Sequence, residues 1–259
     1  MIIGNKEFKD YTYVMAIINL TPDSFWKDSR AAADGALFAA GRAVNDGAAV
    51  LDLGAQSTRP GYTEIPPEEE MSRLERPLRA ILREFDIPVS VDTYFPSVAD
   101  FALSEGAHMI NDVWGLTRGN MAGVIAKHGG SACIMHNSPS PVVGDVFPPV
   151  ESFLKAQAQV AVDAGIDPQK IILDGGIGIV FAKSREQNLA LLQGYSRLKD
   201  LGYPLLLACS RKSLFGGRVE DRLPQTLAAT RAAAKSGVLF VRVHDVKLNV
   251  EEIKKAYEN

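Results

Sequence analysis

Short apolar runs recur at fairly even intervals along the chain, at 14–19, 50–52, 89–92, 109–112, 133–136, 171–174, 205–212 and 238–244. Each ends in a polar or ionisable residue: Asn19, Asp52, Asp92, Asp112, His136, Asp174, Lys212 and His244. Runs this short and this rich in Val, Ile and Leu read as buried strands. Between them, at about 30–46, 66–84, 95–105, 119–128, 150–165, 185–200, 222–237 and 246–257, apolar positions fall at helical spacing. Strand then helix, eight times over, is the signature of a parallel sheet with crossover helices. A core position rarely accepts a carboxylate, whereas the C-terminal mouth of a closed barrel does. The pattern therefore predicts an α/β fold, a (β/α)8 TIM barrel, with reactive groups gathered on one rim.

Local chemistry refines these elements. In Glu68-Glu69-Glu70-Met71-Ser72-Arg73-Leu74-Glu75-Arg76-Pro77-Leu78, Met71, Leu74 and Leu78 share one helical face and the charges occupy the other, which reads as a solvated face and not as a ligand site. Pro77 is expected to bend or interrupt that helix. Two Gly/Pro/Ser-rich stretches, 23–30 and 57–67, follow the first two strands and are the best candidates for mobile loops over a barrel mouth. A third, 137–149, follows strand five.

Composition narrows the class. The chain has 259 residues, close to the usual size of such a barrel, about 250. One domain over 1–259 is expected, with no linker or low-complexity tract. A hydrophobic content of 46%, a charged content of 23% and a net charge of −3 suit a soluble protein and give no reason to expect nucleic-acid binding. The start lacks the apolar stretch of a secretory signal, and no run approaches the roughly 18 apolar residues of a membrane span, so a cytoplasmic protein with no membrane partner is expected. The two cysteines, Cys133 and Cys209, lie inside apolar runs and read as small buried hydrophobes.

Phosphate groups in such barrels commonly bind the loops after strands seven and eight. Here those loops carry Ser210-Arg211-Lys212-Ser213 and Arg242-Val243-His244-Asp245, with Arg242 and His244 two apart and hence on one side of the strand. A guanidinium fork beside an imidazole suits an anionic oxyester. One such residue alone would read as an ion-pair partner of Asp245 or another carboxylate, but four basic groups in two adjacent loops favour binding. Asp92, Asn111, Asp112 and Asp174 end strands three, four and six. Carboxylates and an amide suit a ligand presenting several N–H donors and a carbonyl, such as a fused pyrimidine ring, with a Mg²⁺ or Ca²⁺ site as the competing reading. Asp112 is better read as a cap for the helix at 119–128. His108, His128 and His136 lack metal-ligand spacing and read as structural, although His136, at a strand end, can line the mouth.

Six segments taken together closely resemble dihydropteroate synthases: Met15-Ala16-Ile17-Ile18-Asn19-Leu20-Thr21-Pro22-Asp23-Ser24-Phe25, Ser57-Thr58-Arg59-Pro60-Gly61, Ser90-Val91-Asp92-Thr93, Asn111-Asp112-Val113, Ser210-Arg211-Lys212-Ser213 and Arg242-Val243-His244-Asp245. They occur in order between about 12 and 250, each after a different strand. The resemblance implies condensation of 6-hydroxymethyl-7,8-dihydropterin diphosphate with p-aminobenzoate, giving 7,8-dihydropteroate and pyrophosphate. It implies that Asn19 helps hold Mg²⁺ against the diphosphate while Arg242 and His244 bind its oxygens. Asp92, Asn111 and Asp174 would grip the pterin, with Lys212 against it, and Ser210 would bind the carboxylate of p-aminobenzoate. Thr58, Arg59 and Pro60 would lie on a closing loop. Asp92, Lys212, Arg242 and His244 are thereby the catalytic candidates, and a homodimer is implied by analogy.

The chain departs from the family pattern in several places. Gly175 stands where proline is usual, and Ile179-Val180 reads as an insertion ahead of Phe181 and Lys183. Trp26 lies in the first loop, Ala55-Gln56 replace Gly-Glu, and Ala208-Cys209 replace Gly-Ala. These changes bear on affinity and sulfonamide sensitivity more than on the reaction. Two rival readings share the pterin contacts: a non-catalytic pterin-binding homologue, and a pterin-dependent methyltransferase, which has no need of a diphosphate site.

Overall fold

The computed structural model describes residues 1–20, 29–56, 63–178 and 182–258. A hairpin of β1 (Ile2–Ile3) and β2 (Lys6–Glu7) precedes eight parallel strands: β3 (Tyr13–Asn19), β4 (Val50–Gly54), β5 (Val89–Asp92), β6 (Met109–Asp112), β7 (Ser131–Met135), β8 (Ile171–Asp174), β9 (Leu205–Leu207) and β10 (Phe240–Val243). They pair in sequence order, and β10 closes the ring on β3, so the barrel has no free edge. Eight α-helices surround it among the described residues: α1 (Ser29–Asn45), α2 (Pro67–Glu84), α3 (Pro96–Ser104), α4 (Met121–Lys127), α5 (Phe147–Asp163), α6 (Arg185–Gln193), α7 (Leu223–Lys235) and α8 (Val246–Tyr257). None is long and apolar enough to cross a membrane.

Local signals explain where helices begin. α2 opens on Pro67, with Glu68, Glu69 and Glu70 in its first turn and Arg83 in its last, each charge opposing the nearer end of the helix dipole. Ser184 and Gln187 form a reciprocal capping box at the start of α6.

Three details differ from the sequence pattern. α2 runs through Pro77 without interruption: Leu74, Pro77, Leu78 and Ile81 form its buried stripe, and packing of that stripe outweighs the hydrogen bond the ring deletes. Glu70 is not on a solvated face but fully buried, and burial pushes its carboxyl up to about 7. The expected helix at 185–200 ends at Gln193. Gly194 caps it, at a position where a β-carbon would sit 2.6 Å from the Phe147 ring, and Tyr195–Leu201 continue as a 3-10 helix in which Tyr195 is buried in the core.

Side-chain alternation splits the core in two. Residues of one parity, among them Val14, Ala16, Ile18, Leu51, Leu53, Val91, Ile110, Ile134, Leu173 and Val241, pack with the helices in one cluster. Those of the other parity, Met15, Val50, Met109, Cys133, Ile172, Leu206 and Phe240, form a separate interior cluster that Ile3 and Phe8 close from below. Two residues further along four of these strands the interior changes character, to Asp52, Asn111, Asp174 and Arg242.

Candidate active site

Register builds the polar layer. Asp52 lies level with Ser90, Asp92 with Asn111, and Asp174 with Met135. Across the closed ring, Arg242 donates from Nε to Asp52 Oδ2 at 2.5 Å and from Nη2 to Asp92 Oδ2 at 2.6 Å. Asn111 Nδ2 donates to the same Asp52 oxygen at 3.2 Å. Asp52 is fully buried and Asp92 nearly so, yet Asp52 Oδ1, Asp92 Oδ1 and the Ser90 hydroxyl have no hydrogen-bond partner. Buried carboxylate oxygens left unpaired are costly unless a ligand supplies donors. Burial pushes the Asp92 carboxyl up to about 7, with the Arg242 charge opposing that shift. The two bonds occupy only part of Arg242's five N–H donors, so the fork is held in place and still has donors for an anion.

Asp174 forms the second half of the layer. Its Oδ1 accepts from Gly176 N–H at 2.7 Å and lies 3.2 Å from the Tyr195 hydroxyl. Burial raises its pKa, and Lys212 and Lys183 pull it back. Lys183 is buried, donates to the Gly176 carbonyl at 2.9 Å, and is lowered to about 7 by desolvation. Lys212 donates to the Ile177 carbonyl and has its pKa lowered by burial. Its stem lies across Gly178, where a β-carbon would sit 2.3 Å from Cδ and where φ is +82°, so only glycine fits. His136 is buried at the end of β7; desolvation and Lys183 lower it to about 3, keeping the imidazole neutral.

Above β9 and β10, Ser210 Oγ and His244 Nδ1 are 3.0 Å apart, with His244 exposed at the mouth. Of the four basic groups in these loops, Arg211 is committed elsewhere: its Nε and Nη2 each reach the Asp245 carboxylate at 2.8 Å, and its backbone turns through φ 52°. The fork therefore ties one loop to the next, and Asp245 serves Arg211, not Arg242. Asp112 does not cap α4, whose first-turn donors meet no side-chain cap. Its two oxygens accept from the backbone of Trp114 and Leu116 at 2.8 Å each and shape the loop after β6. Being adjacent to Asn111, it has the opposite parity and cannot also face the interior.

Asn19 is half-buried at the end of β3, level with Gly54. Among the described residues no group of three His, Cys, Asp or Glu side chains is placed to hold a metal ion. His128 pairs with Asp100 at 2.8 Å and His108 Nδ1 accepts from Val89 at 3.1 Å, both away from the mouth. Cys133 and Cys209 are free and buried; burial pushes the Cys209 thiol up to about 12 and that of Cys133 well above its ordinary value. Thr58, Arg59 and Pro60, together with Trp26, Ile179, Val180 and Phe181, lie outside the described residues.

The polar layer thus unites Asp92, Asn111, Asp174, Lys212 and Arg242, and adds Asp52, Lys183 and Tyr195, to which the sequence pattern assigns no role. Asp52 carried the same signal as Asp92, a polar end to an apolar run. Lys183 stands in the run after Asp174 that resembles the family pattern, and Tyr195 offers no signal.

Comparison with known proteins gives a consistent result. Residues 15–244 match the family described as pterin binding enzyme. A dihydropteroate synthase of Clostridium beijerinckii is 42% identical over 263 aligned positions, covering 98% of this chain and 97% of that protein. Among solved structures, a Clostridium difficile dihydropteroate synthase determined in the presence of pteroic acid superimposes with a TM-score of 0.93 at 40% identity, covering 98% of each chain. A Xanthomonas albilineans dihydropteroate synthase with 4-aminobenzoic acid gives a TM-score of 0.91 at 36% identity, covering 96% of this chain and 93% of that one.

Proposed function

Since the chain belongs to the pterin-binding enzyme family, and within it to the dihydropteroate synthases, we propose that its barrel mouth joins 6-hydroxymethyl-7,8-dihydropterin diphosphate to p-aminobenzoate with release of pyrophosphate. The observation that carries this reading is the Arg242 guanidinium clamped between Asp52 and Asp92, beneath two buried carboxylate oxygens that have no protein donor. The ring N–H groups of a pterin match those acceptors, and the remaining Arg242 donors match a diphosphate.

In this reading Asp92, Asn111 and Asp174 hold the pterin ring and Lys212 lies against it. Arg242 and His244 bind the diphosphate. The methylene C–O bond breaks, its electron pair leaves with pyrophosphate, and Arg242 and His244 neutralise the developing charge. The Asp92 carboxylate offsets the positive charge left on the pterin-methyl group, so catalysis is mainly electrostatic preorganisation and positioning. The amine nitrogen then attacks and loses its proton. Ser210, 3.0 Å from His244, binds the p-aminobenzoate carboxylate on the same rim, with Thr58, Arg59 and Pro60 as further substrate-binding residues. Sulfonamides compete at that amine site.

One amide oxygen at Asn19 suits Mg²⁺, which keeps most of its shell as water and phosphate oxygen, and the ion would supply charge neutralisation to the departing pyrophosphate. A cytoplasmic homodimer completes the reading.

The test is pyrophosphate release from the purified protein given the dihydropterin diphosphate and Mg²⁺, with and without p-aminobenzoate. Amine-dependent release is expected and is lost on chelation. Pterin binding without release would instead favour a non-catalytic homologue.

A further inference from the structure

The Tyr195 side chain lies at a junction of three backbone elements. Its ring is buried, and its hydroxyl receives the Gly175 N–H at 2.9 Å, sits 2.5 Å from the Leu206 carbonyl on β9 and 3.2 Å from Asp174 Oδ1 at the end of β8. The one phenolic proton is shared unequally, mainly with the nearer Leu206 carbonyl and by a longer branch with Asp174 Oδ1, so the group ties the tip of β8 to the neighbouring strand. The Gly176 N–H falls on that same oxygen of Asp174. Both protein hydrogen bonds to this carboxylate thus converge on Oδ1, which leaves Oδ2 as the ligand-facing oxygen.

Gly175 is matched to this arrangement. A β-carbon at position 175 would stand 3.0 Å from Tyr195 Cε2 and 3.1 Å from Leu198 Cδ1, closer than most packed β-carbons come, so the ring or the methyl would have to shift to admit it. Proline, usual here in the resembled family, would also remove the N–H that the phenol accepts. The glycine and the tyrosine therefore depend on one another.

We propose that Tyr195 is a positioning residue for Asp174, held against Oδ1 by the Gly175 N–H, and that through this contact it sets the affinity for the pterin ring. The proposal rests on the reading in which Asp174 grips the pterin. Loss of a hydrogen bond to a charged carboxylate should weaken pterin binding by about tenfold or somewhat more.

The experiment is steady-state kinetics of the full-length Tyr195→Phe variant with each substrate varied in turn, beside Asp174→Asn. The expected result is a pterin diphosphate KM raised about tenfold, with kcat and the p-aminobenzoate KM within about twofold of wild type, since the proposed reading seats the amine substrate at Ser210 and not at Asp174. A general loss of structure would instead lower kcat and disturb both KM values, and that result overturns the proposal. So does an unchanged pterin KM in Tyr195→Phe while Asp174→Asn raises it. If Asp174→Asn leaves pterin KM unchanged, the assignment of Asp174 itself has failed. Should Tyr195→Phe not fold, 3-fluorotyrosine at position 195 makes the phenol more acidic at nearly constant size. A shift in pterin KM alone then supports the proposal, and no shift overturns it.

Discussion

The floor and the mouth of this barrel are built from the same strands, yet they obey different rules. At the floor, Met15, Val50, Met109, Cys133, Ile172, Leu206 and Phe240 interlock with Ile3 and Phe8 in a dry cluster. Two residues along, the interior holds Asp52, Asn111, Asp174 and Arg242, with buried acceptor atoms unpaired. The floor is complete in itself and the mouth is not. Stability and chemistry are thereby separated along the barrel axis, as the architecture permits: the N-terminal end holds the fold while the C-terminal end stays charged and incompletely paired.

Substitutions can break that division. The largest effect is expected for Arg242→Ala, which leaves Asp52 and Asp92 buried without their counter-charge. It should lower turnover by about two to three decades and also cost about 3–5 kcal/mol of stability, read by pyrophosphate release and by urea unfolding. Phe240→Ala removes a fully buried ring that contacts Phe8 with centroids 5.0 Å apart. Unfolding should become easier by about 3–5 kcal/mol, while both KM values of the folded protein stay at wild type. A changed KM would show that the floor is coupled to the site.

Lys212→Ala sharpens the contrast from the other side. Its stem crosses Gly178 and its ammonium reaches the Ile177 carbonyl, so removing it should lower turnover by about one to two decades with a melting temperature close to wild type. The smallest effect is in pH dependence. Burial raises the Asp92 pKa from 3.8 to about 7, so the free protein holds a proton there that the unfolded chain gives up. This site's contribution to stability therefore declines as pH rises from about 4 through 7. Ligand N–H donors prefer the ionised carboxylate, so pterin affinity should run the opposite way, rising through about pH 7 by at most about tenfold per unit. Calorimetry in buffers of different ionisation enthalpy should detect proton release on binding.

Much of the fold was legible because an apolar run of four to six residues and a helical stripe are local signals. Helix α2 was anticipated at 66–84 and is found over Pro67–Glu84; α8 matches at 246–257. What escaped were decisions made by distant neighbours. Pro77 was tolerated because the stripe around it is buried, and Glu70 was buried because its helix packs that way. Asp92, Asn111, Asp174, Lys212 and Arg242 stand out in the sequence as strand-end chemistry, while Asp52, with an identical local signal, has no role there. Its role appears only when β10 closes beside β3 and brings Arg242, 190 residues away in sequence, within 2.5 Å. Tyr195 reads as ordinary core until the break at Gly194 places its hydroxyl beside Asp174.

By itself the sequence determined the repeating unit, the eight strands of the barrel though not the hairpin before them, and which strand ends bear charge, because periodicity and composition act within a few residues. Only the tertiary structure decided which charges meet. Arg211 and Lys212 are adjacent, yet one is locked to Asp245 and the other reaches the Ile177 carbonyl in the loop after Asp174. Asn111 and Asp112 are adjacent, yet only the first faces the interior. Electrostatic pairing depends on distance in space, and in a closed barrel that distance is set by shear and ring closure, which no local stretch of sequence encodes.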